Sequence, residues 1–161
     1  MKRILACVLV LLSALTVSAK DYTLSSPSGN ISTVVRVDST TTLSVIVKGV
    51  TVMQDCKVAM RLADSTVLGV NAKIRKDTRG SRTENISAPF YRQSAFQASY
   101  NYLSLRYDGN YTLQVRAYND GIAYRFVTSF PETIEAVDET VQFNFTDAFE
   151  SIIPWKLDVS A

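Results

Sequence analysis

A chain that transforms a substrate needs a base, a nucleophile or a metal, and the residues that supply them are scarce here. None of the 161 residues is histidine. That removes the usual general base, the usual partner of a catalytic serine or cysteine, and the commonest zinc ligand. Cys56 has no candidate base beside it in the sequence and reads as a small, half-buried residue. A carboxylate pair is the remaining route to hydrolysis. Glu132, Glu135, Asp138 and Glu139 cluster, and Asp147 and Glu150 follow. Their spacing around Pro131 is irregular, which suits a solvated connection better than a paired site. The chain has no Asp-x-Asp-x-Asp-Gly calcium loop, no glycine-rich phosphate loop and no Cys or His cluster. No catalytic residue, metal ligand or cofactor is therefore assigned to it.

Aromatic side chains are the other candidates. Eight tyrosines and Trp155 offer flat apolar faces with polar edges, which suit sugar rings. Alternation puts Tyr100 and Tyr102 on one strand face, and Tyr124 and Phe126 on another. Aromatic residues alternating along strands more often pack across the sheet.

The elements that must position these residues are strands. Ile31, Thr33, Val35 and Val37 alternate with polar neighbours; Asp38 to Thr42 breaks the run and Leu43 to Val47 resumes it. After Gly49, Val50 to Met53 reads as a short strand or a continuation past a bulge. Weaker strands are expected at Val58 to Leu62 and Val67 to Ile74. The charged stretch from Arg75 to Pro89 reads as a long exposed loop. Phe96 to Tyr107, Tyr111 to Tyr118 and Ile122 to Thr128 form the clearest unit. Asp108-Gly109-Asn110 and Asn119-Asp120-Gly121 between them are hairpin signals. Val141, Phe143 and Phe145 suggest one further strand. Many short strands and no sustained helical period predict an all-β, antiparallel β-sandwich.

Residues 1–19 read as a signal peptide. Lys2 and Arg3 precede an apolar run from Ile4 to Val17, and Val17-Ser18-Ala19 has the small-residue cleavage pattern. The run falls short of the roughly 20 residues needed to span a bilayer. The chain is thus expected to be exported, with residues 20–161 forming one domain and no membrane attachment after cleavage. Without Lys2 and Arg3, 15 basic side chains face 15 acidic ones. That balance points to no nucleic-acid partner. Only Cys56 remains, so the domain must be held by its core and not by disulfides.

Two motifs carry a family resemblance. Tyr22-Thr-Leu-Ser-Ser-Pro-Ser-Gly-Asn30, just after the expected cleavage point, resembles the opening of glycoside hydrolase family 97, as does the Lys48-Gly49 pair that closes the following hairpin. Val115-Arg-Ala-Tyr-Asn-Asp-Gly-Ile-Ala-Tyr-Arg-Phe126 is similar to the signature of that family's N-terminal domain. The resemblance covers about Tyr22 to Trp155. It implies an exported α-glucosidase or α-galactosidase acting on oligosaccharides in Bacteroidetes, in the periplasm or at the cell surface of a Gram-negative bacterium. It further implies a β-super-sandwich followed by a catalytic (β/α)₈ barrel, with calcium bound in the full-length parent. This chain would then be the N-terminal sandwich, incomplete at its C-terminal end. Within the signature, Asp120 and Gly121 are expected to turn the chain while Tyr118, Tyr124 and Phe126 pack. Arg116 and Arg125 are candidates for docking the barrel. The alternative is a stand-alone exported carbohydrate-binding or adhesion sandwich.

Overall fold

The computed structural model describes residues 19–89, 94–148 and 150. The expected signal peptide up to Ser18, and Trp155, lie outside the described residues. Among the described residues ten strands form two antiparallel sheets: β1 Lys20–Ser25, β2 Ile31–Val37, β3 Thr41–Val47, β4 Val50–Leu62, β5 Val67–Leu68, β6 Ile74–Ser87, β7 Ala95–Tyr107, β8 Tyr111–Tyr118, β9 Ile122–Thr128 and β10 Ala136–Val141. The first sheet runs β1-β2-β3-β4-β10 with β5 beside β4, and the second runs β6-β7-β8-β9. This is the expected sandwich.

Its core follows from the alternation. Val35 of the first sheet and Leu103, Leu105, Leu113, Val115 and Ala117 of the second belong to one core cluster, and all six side chains are fully buried. Polar links tie the layers at their margins. The Arg79 guanidinium donates to the Thr23 carbonyl at 2.7 Å, and the Asn101 amide donates to the Ser25 carbonyl at 2.7 Å. The Gly69 N–H donates to the Tyr111 hydroxyl at 3.1 Å. Burial pushes the Tyr107 hydroxyl far above the usual tyrosine range, although its contact with Thr41 opposes the shift.

Several expectations need correction. Residues from Arg75 to Pro89 do not form a loop. Ile74–Ser87 is a strand paired with β7 from Ile74↔Tyr107 to Ser87↔Ala95. It is an edge strand whose side chains are mostly exposed, so it carries no apolar alternation to read. Val50 to Met53 and Val58 to Leu62 are one strand, β4, with register shifts opposite Val45. Asp55 within it takes φ 49° and lies at the register shift between Leu43↔Cys56 and Val45↔Met53. The expected strand from Val67 to Ile74 reduces to Val67–Leu68, and Ile74 already belongs to β6. β1 was not foreseen; it is short, and only Tyr22 and Leu24 turn inward. Among the described residues the last strand ends at Val141, and Phe145 makes an isolated bridge to Met53.

The turns divide in an instructive way. Lys48–Gly49 has positive φ at both residues, which matches the twist of two-residue hairpins, and in the three-residue connection Asp108-Gly109-Asn110 the last two residues take positive φ. At Asn119-Asp120-Gly121 no residue takes positive φ. There the turn is closed by Tyr118 N–H donating to the Gly121 carbonyl at 2.8 Å.

Candidate interaction face

Strand pairing places the candidate residues on opposite faces of the second sheet. Tyr124 and Phe126 stand beside Val115 and Leu113 and so face the core. Burial, with Glu139 beside it, pushes the Tyr124 hydroxyl up to about 12. Arg116 pairs with Tyr102 and Ala123, and Arg125 pairs with Gln114, so both arginines face outward. Tyr118 lies outward too, against Tyr100, with ring centroids 5.0 Å apart. Of the three expected packing aromatics, two pack inside and one outside.

The outward face is a connected network. The Arg116 guanidinium lies 4.4 Å from the centroid of the Tyr100 ring, and its Nη1 donates to the Tyr118 hydroxyl at 3.3 Å. The Tyr100 hydroxyl donates to Glu84 Oε1 at 2.5 Å. That bond, and then burial, raises the Tyr100 hydroxyl above its ordinary value. Glu84 also lies 3.8 Å from Arg116 and 4.0 Å from Arg82. Arg82 sits 5.6 Å over the Tyr102 ring. Position 80 has to be glycine for this arrangement, because a Cβ there would meet the Tyr102 ring at 2.8 Å. The Arg125 Nε donates to Gln114 Oε1 at 2.9 Å. Together Arg82, Tyr100, Tyr102, Ser104, Arg116 and Arg125 line a shallow cleft of about 170 Å³.

Arg82, Glu84 and Gly80 were missed because their segment read as a loop. A period-two signal was nonetheless present: Arg82, Glu84 and Ile86 alternate with the uncharged polar Ser81, Thr83 and Asn85. Zero net charge also concealed the segregation. Register puts Lys76, Arg82, Arg106, Arg116 and Arg125 on this face with Glu84 as its one carboxylate among the described residues.

The other candidates remain apart. Cys56 is buried, not half-buried, and its Sγ accepts the Asn144 N–H at 3.3 Å with no base beside it. Asp138 pairs with Arg61 at 3.9 Å, and Glu139 accepts from Tyr124 at 3.4 Å. Glu132 and Glu135 line a second cleft of about 460 Å³ with Asp64, Phe130 and Ile134. Among the described residues no three His, Cys, Asp or Glu side chains are placed to hold a metal ion.

The fold and this face define an antiparallel β-sandwich with an arginine- and tyrosine-rich outer face. Residues 24–160 match the family described as Glycosyl-hydrolase 97 N-terminal, and the chain belongs to that family. It is 35% identical over 156 residues to a retaining α-galactosidase of Bacteroides thetaiotaomicron, covering 96% of this chain and 24% of that protein. The chain therefore spans about a quarter of this curated relative. Among solved structures, a glycoside hydrolase family 97 enzyme from Pseudoalteromonas sp. strain K8, in complex with panose, matches with a TM-score of 0.66 at 20% identity. That match covers 78% of this chain and 20% of the enzyme. A β-arabinopyranosidase matches with a TM-score of 0.65 at 16% identity, over 85% of this chain and 24% of that one. Both structural likenesses concern the fold.

Proposed function

We propose that the chain is the exported, non-catalytic N-terminal sandwich of a family 97 glycosidase and that it supports a catalytic barrel in the same polypeptide. The observation that carries this reading is the alignment. Nearly the whole chain corresponds to one quarter of a retaining α-galactosidase, leaving most of that enzyme's length to a catalytic portion. The parent's substrate is then an oligosaccharide with an α-linked galactose, with an α-linked glucose as the second choice within the family. The apolar run before Lys20 directs the protein to the periplasm or cell surface, and no membrane attachment survives cleavage. The described residues bring no calcium-binding set together. Calcium is proposed for the complete parent protein, as the family resemblance implies.

In this reading Arg116 and Arg125 contribute to seating the barrel. They share one outward face, and the Gln114 side chain is a neutral partner for Arg125. The decisive experiment expresses the complete reading frame and assays p-nitrophenyl α-galactoside. Turnover supports the proposal. A frame that stops at Ala161, together with retention of the chain on starch or galactan in affinity electrophoresis, would replace it with the stand-alone binding module.

A further inference from the structure

The two sheets do not end together. Val45 pairs with Met53, and Met53 with Phe145, so the three share one face of the first sheet. Along that row exposure climbs from 8% at Val45 to 53% at Phe145. Val58 pairs with Val141 in the same way, and exposure climbs from buried to 39%. Val58 belongs to the core, so this is the inner face. Tyr124 marks the same side, because its hydroxyl donates from the second sheet to Glu139, two residues before Val141. The second sheet stops at β9, whereas the first runs on through β10. Beyond β10 the chain still follows β4: the Gln54 N–H donates to the Asn144 carbonyl at 2.9 Å, and the Thr146 N–H to the Val52 carbonyl at 3.2 Å. The core side of the first sheet thus overhangs the second as an apolar shelf, beside which Phe143 is 67% exposed.

The chain carries a segment that fits the shelf. Ile153, Trp155, Leu157 and Val159 alternate with Pro154, Lys156, Asp158 and Ser160, the period of a strand with one apolar side. These residues follow directly on the last hydrogen bonds to β4. Residues 153–159 extend about 20 Å, and β9 has the same seven residues. The connection, residues 147–152, reaches at most ~20 Å, against the ~10 Å that separates packed sheets. Among the described residues β9 pairs with β8 alone, so a strand laid beside it would be the new edge of the second sheet. An edge strand admits Pro154, which has no N–H to give.

We propose that residues 153–159 dock on this shelf beside β9, with Ile153, Trp155, Leu157 and Val159 turned onto Val141 and Met53, and with Lys156 and Asp158 in solvent. The second sheet then reaches as far as the first, and the apolar overhang leaves water. In a chain that ends at Ala161 the segment is tied at one end only, and such ends fray. The shelf is then partly open, and copies of the isolated chain associate through it.

The test uses the protein expressed from the complete reading frame, carrying either Leu157→Cys or Lys156→Cys. Reaction of each new thiol with N-ethylmaleimide is followed site by site by mass spectrometry. The thiol at 157 should react on the order of tenfold more slowly than the one at 156, since a docked segment must open before its inner side is reached. Adding Val141→Asp, or Phe143→Asp where Val141→Asp fails to fold, should make the two rates equal with the strand circular dichroism unchanged. Gln142→Asp, a charge at the neighbouring exposed position, should leave the difference in place. Equal rates in the protein without a shelf variant overturn the inference, as does a difference that survives both shelf variants. Protection at 157 that grows with protein concentration puts a second copy on the shelf and also overturns it. Galactoside turnover is read separately: its absence with the labelling pattern intact counts against the accessory-domain reading and leaves the docked segment standing.

Discussion

Removing the Glu84 carboxylate should cost more than an exposed acidic residue on an edge strand normally does. Its oxygen accepts the Tyr100 hydroxyl at 2.5 Å, while the tyrosine itself is 1% exposed. Glu84→Ala takes that acceptor away and leaves the Arg116 guanidinium, stacked over the Tyr100 ring, without its nearby counter-charge. A hydrogen bond to an ionised acceptor contributes about 1.5–3 kcal/mol. The contacts to Arg116 and Arg82, at 3.8 and 4.0 Å between partly exposed side chains, add at most ~0.5 kcal/mol each. Together these place the loss at about 2–3 kcal/mol. Glu84→Gln keeps an acceptor and should lose only ~1 kcal/mol. Combined with Tyr100→Phe, Glu84→Ala should be non-additive by about 1.5 kcal/mol, because both changes delete the same bond. Urea-dependent proteolysis of the chain displayed on yeast measures these differences without contacts between copies. A Glu84→Ala loss within ~0.5 kcal/mol of zero, the range of an ordinary surface change, or an additive cycle, would show that the network contributes nothing to stability.

Alkaline pH should unfold the domain through its tyrosines. The folded-state values of Tyr100, Tyr107, Tyr111 and Tyr124 are all raised, so above about pH 10 the unfolded chain releases protons that the folded chain retains. Stability is fully present below that pH and declines as pH climbs towards the folded values, about 12 for Tyr124. Tyrosinate absorbance should therefore rise late and together with loss of the β signal; early, independent titration of all tyrosines would count against this burial. In the complete protein, Arg116→Ala combined with Arg125→Ala should lower both the melting temperature and galactoside turnover, and unchanged values for both would remove these arginines from docking. Val141, Phe143 and Phe145 are 39%, 67% and 53% exposed beside an edge of the first sheet, so the isolated chain should associate in solution. Phe143→Ser with Phe145→Ser should raise its soluble yield. A wild-type chain that sediments as a monomer at high micromolar concentration would contradict that.

What could be read before any coordinates tracks how strongly burial imprints the residue pattern. β2, β3, β7, β8 and β9 each bury one face against the opposing sheet, so Val35, Leu103, Leu113 and their neighbours alternate visibly. β6 buries almost nothing. Its sequence reads as a loop, which hides Arg82 and Glu84 from the network around Tyr100. β4 carries a bulge at Asp55 that breaks its period into two apparent pieces. Arg116 and Arg125 were legible as a pair because the signature brackets one hairpin. That they share a face with Tyr102 and Phe96 depends on register across three strands, which no local pattern states.

The most direct test of the account is the activity of the chain from Lys20 to Ala161 by itself. Purified and incubated with p-nitrophenyl α-galactoside and p-nitrophenyl α-glucoside, it should release no more nitrophenol than buffer does. Release that scales with the amount of this chain, and that disappears when the chain is unfolded, would contradict its assignment as a non-catalytic domain.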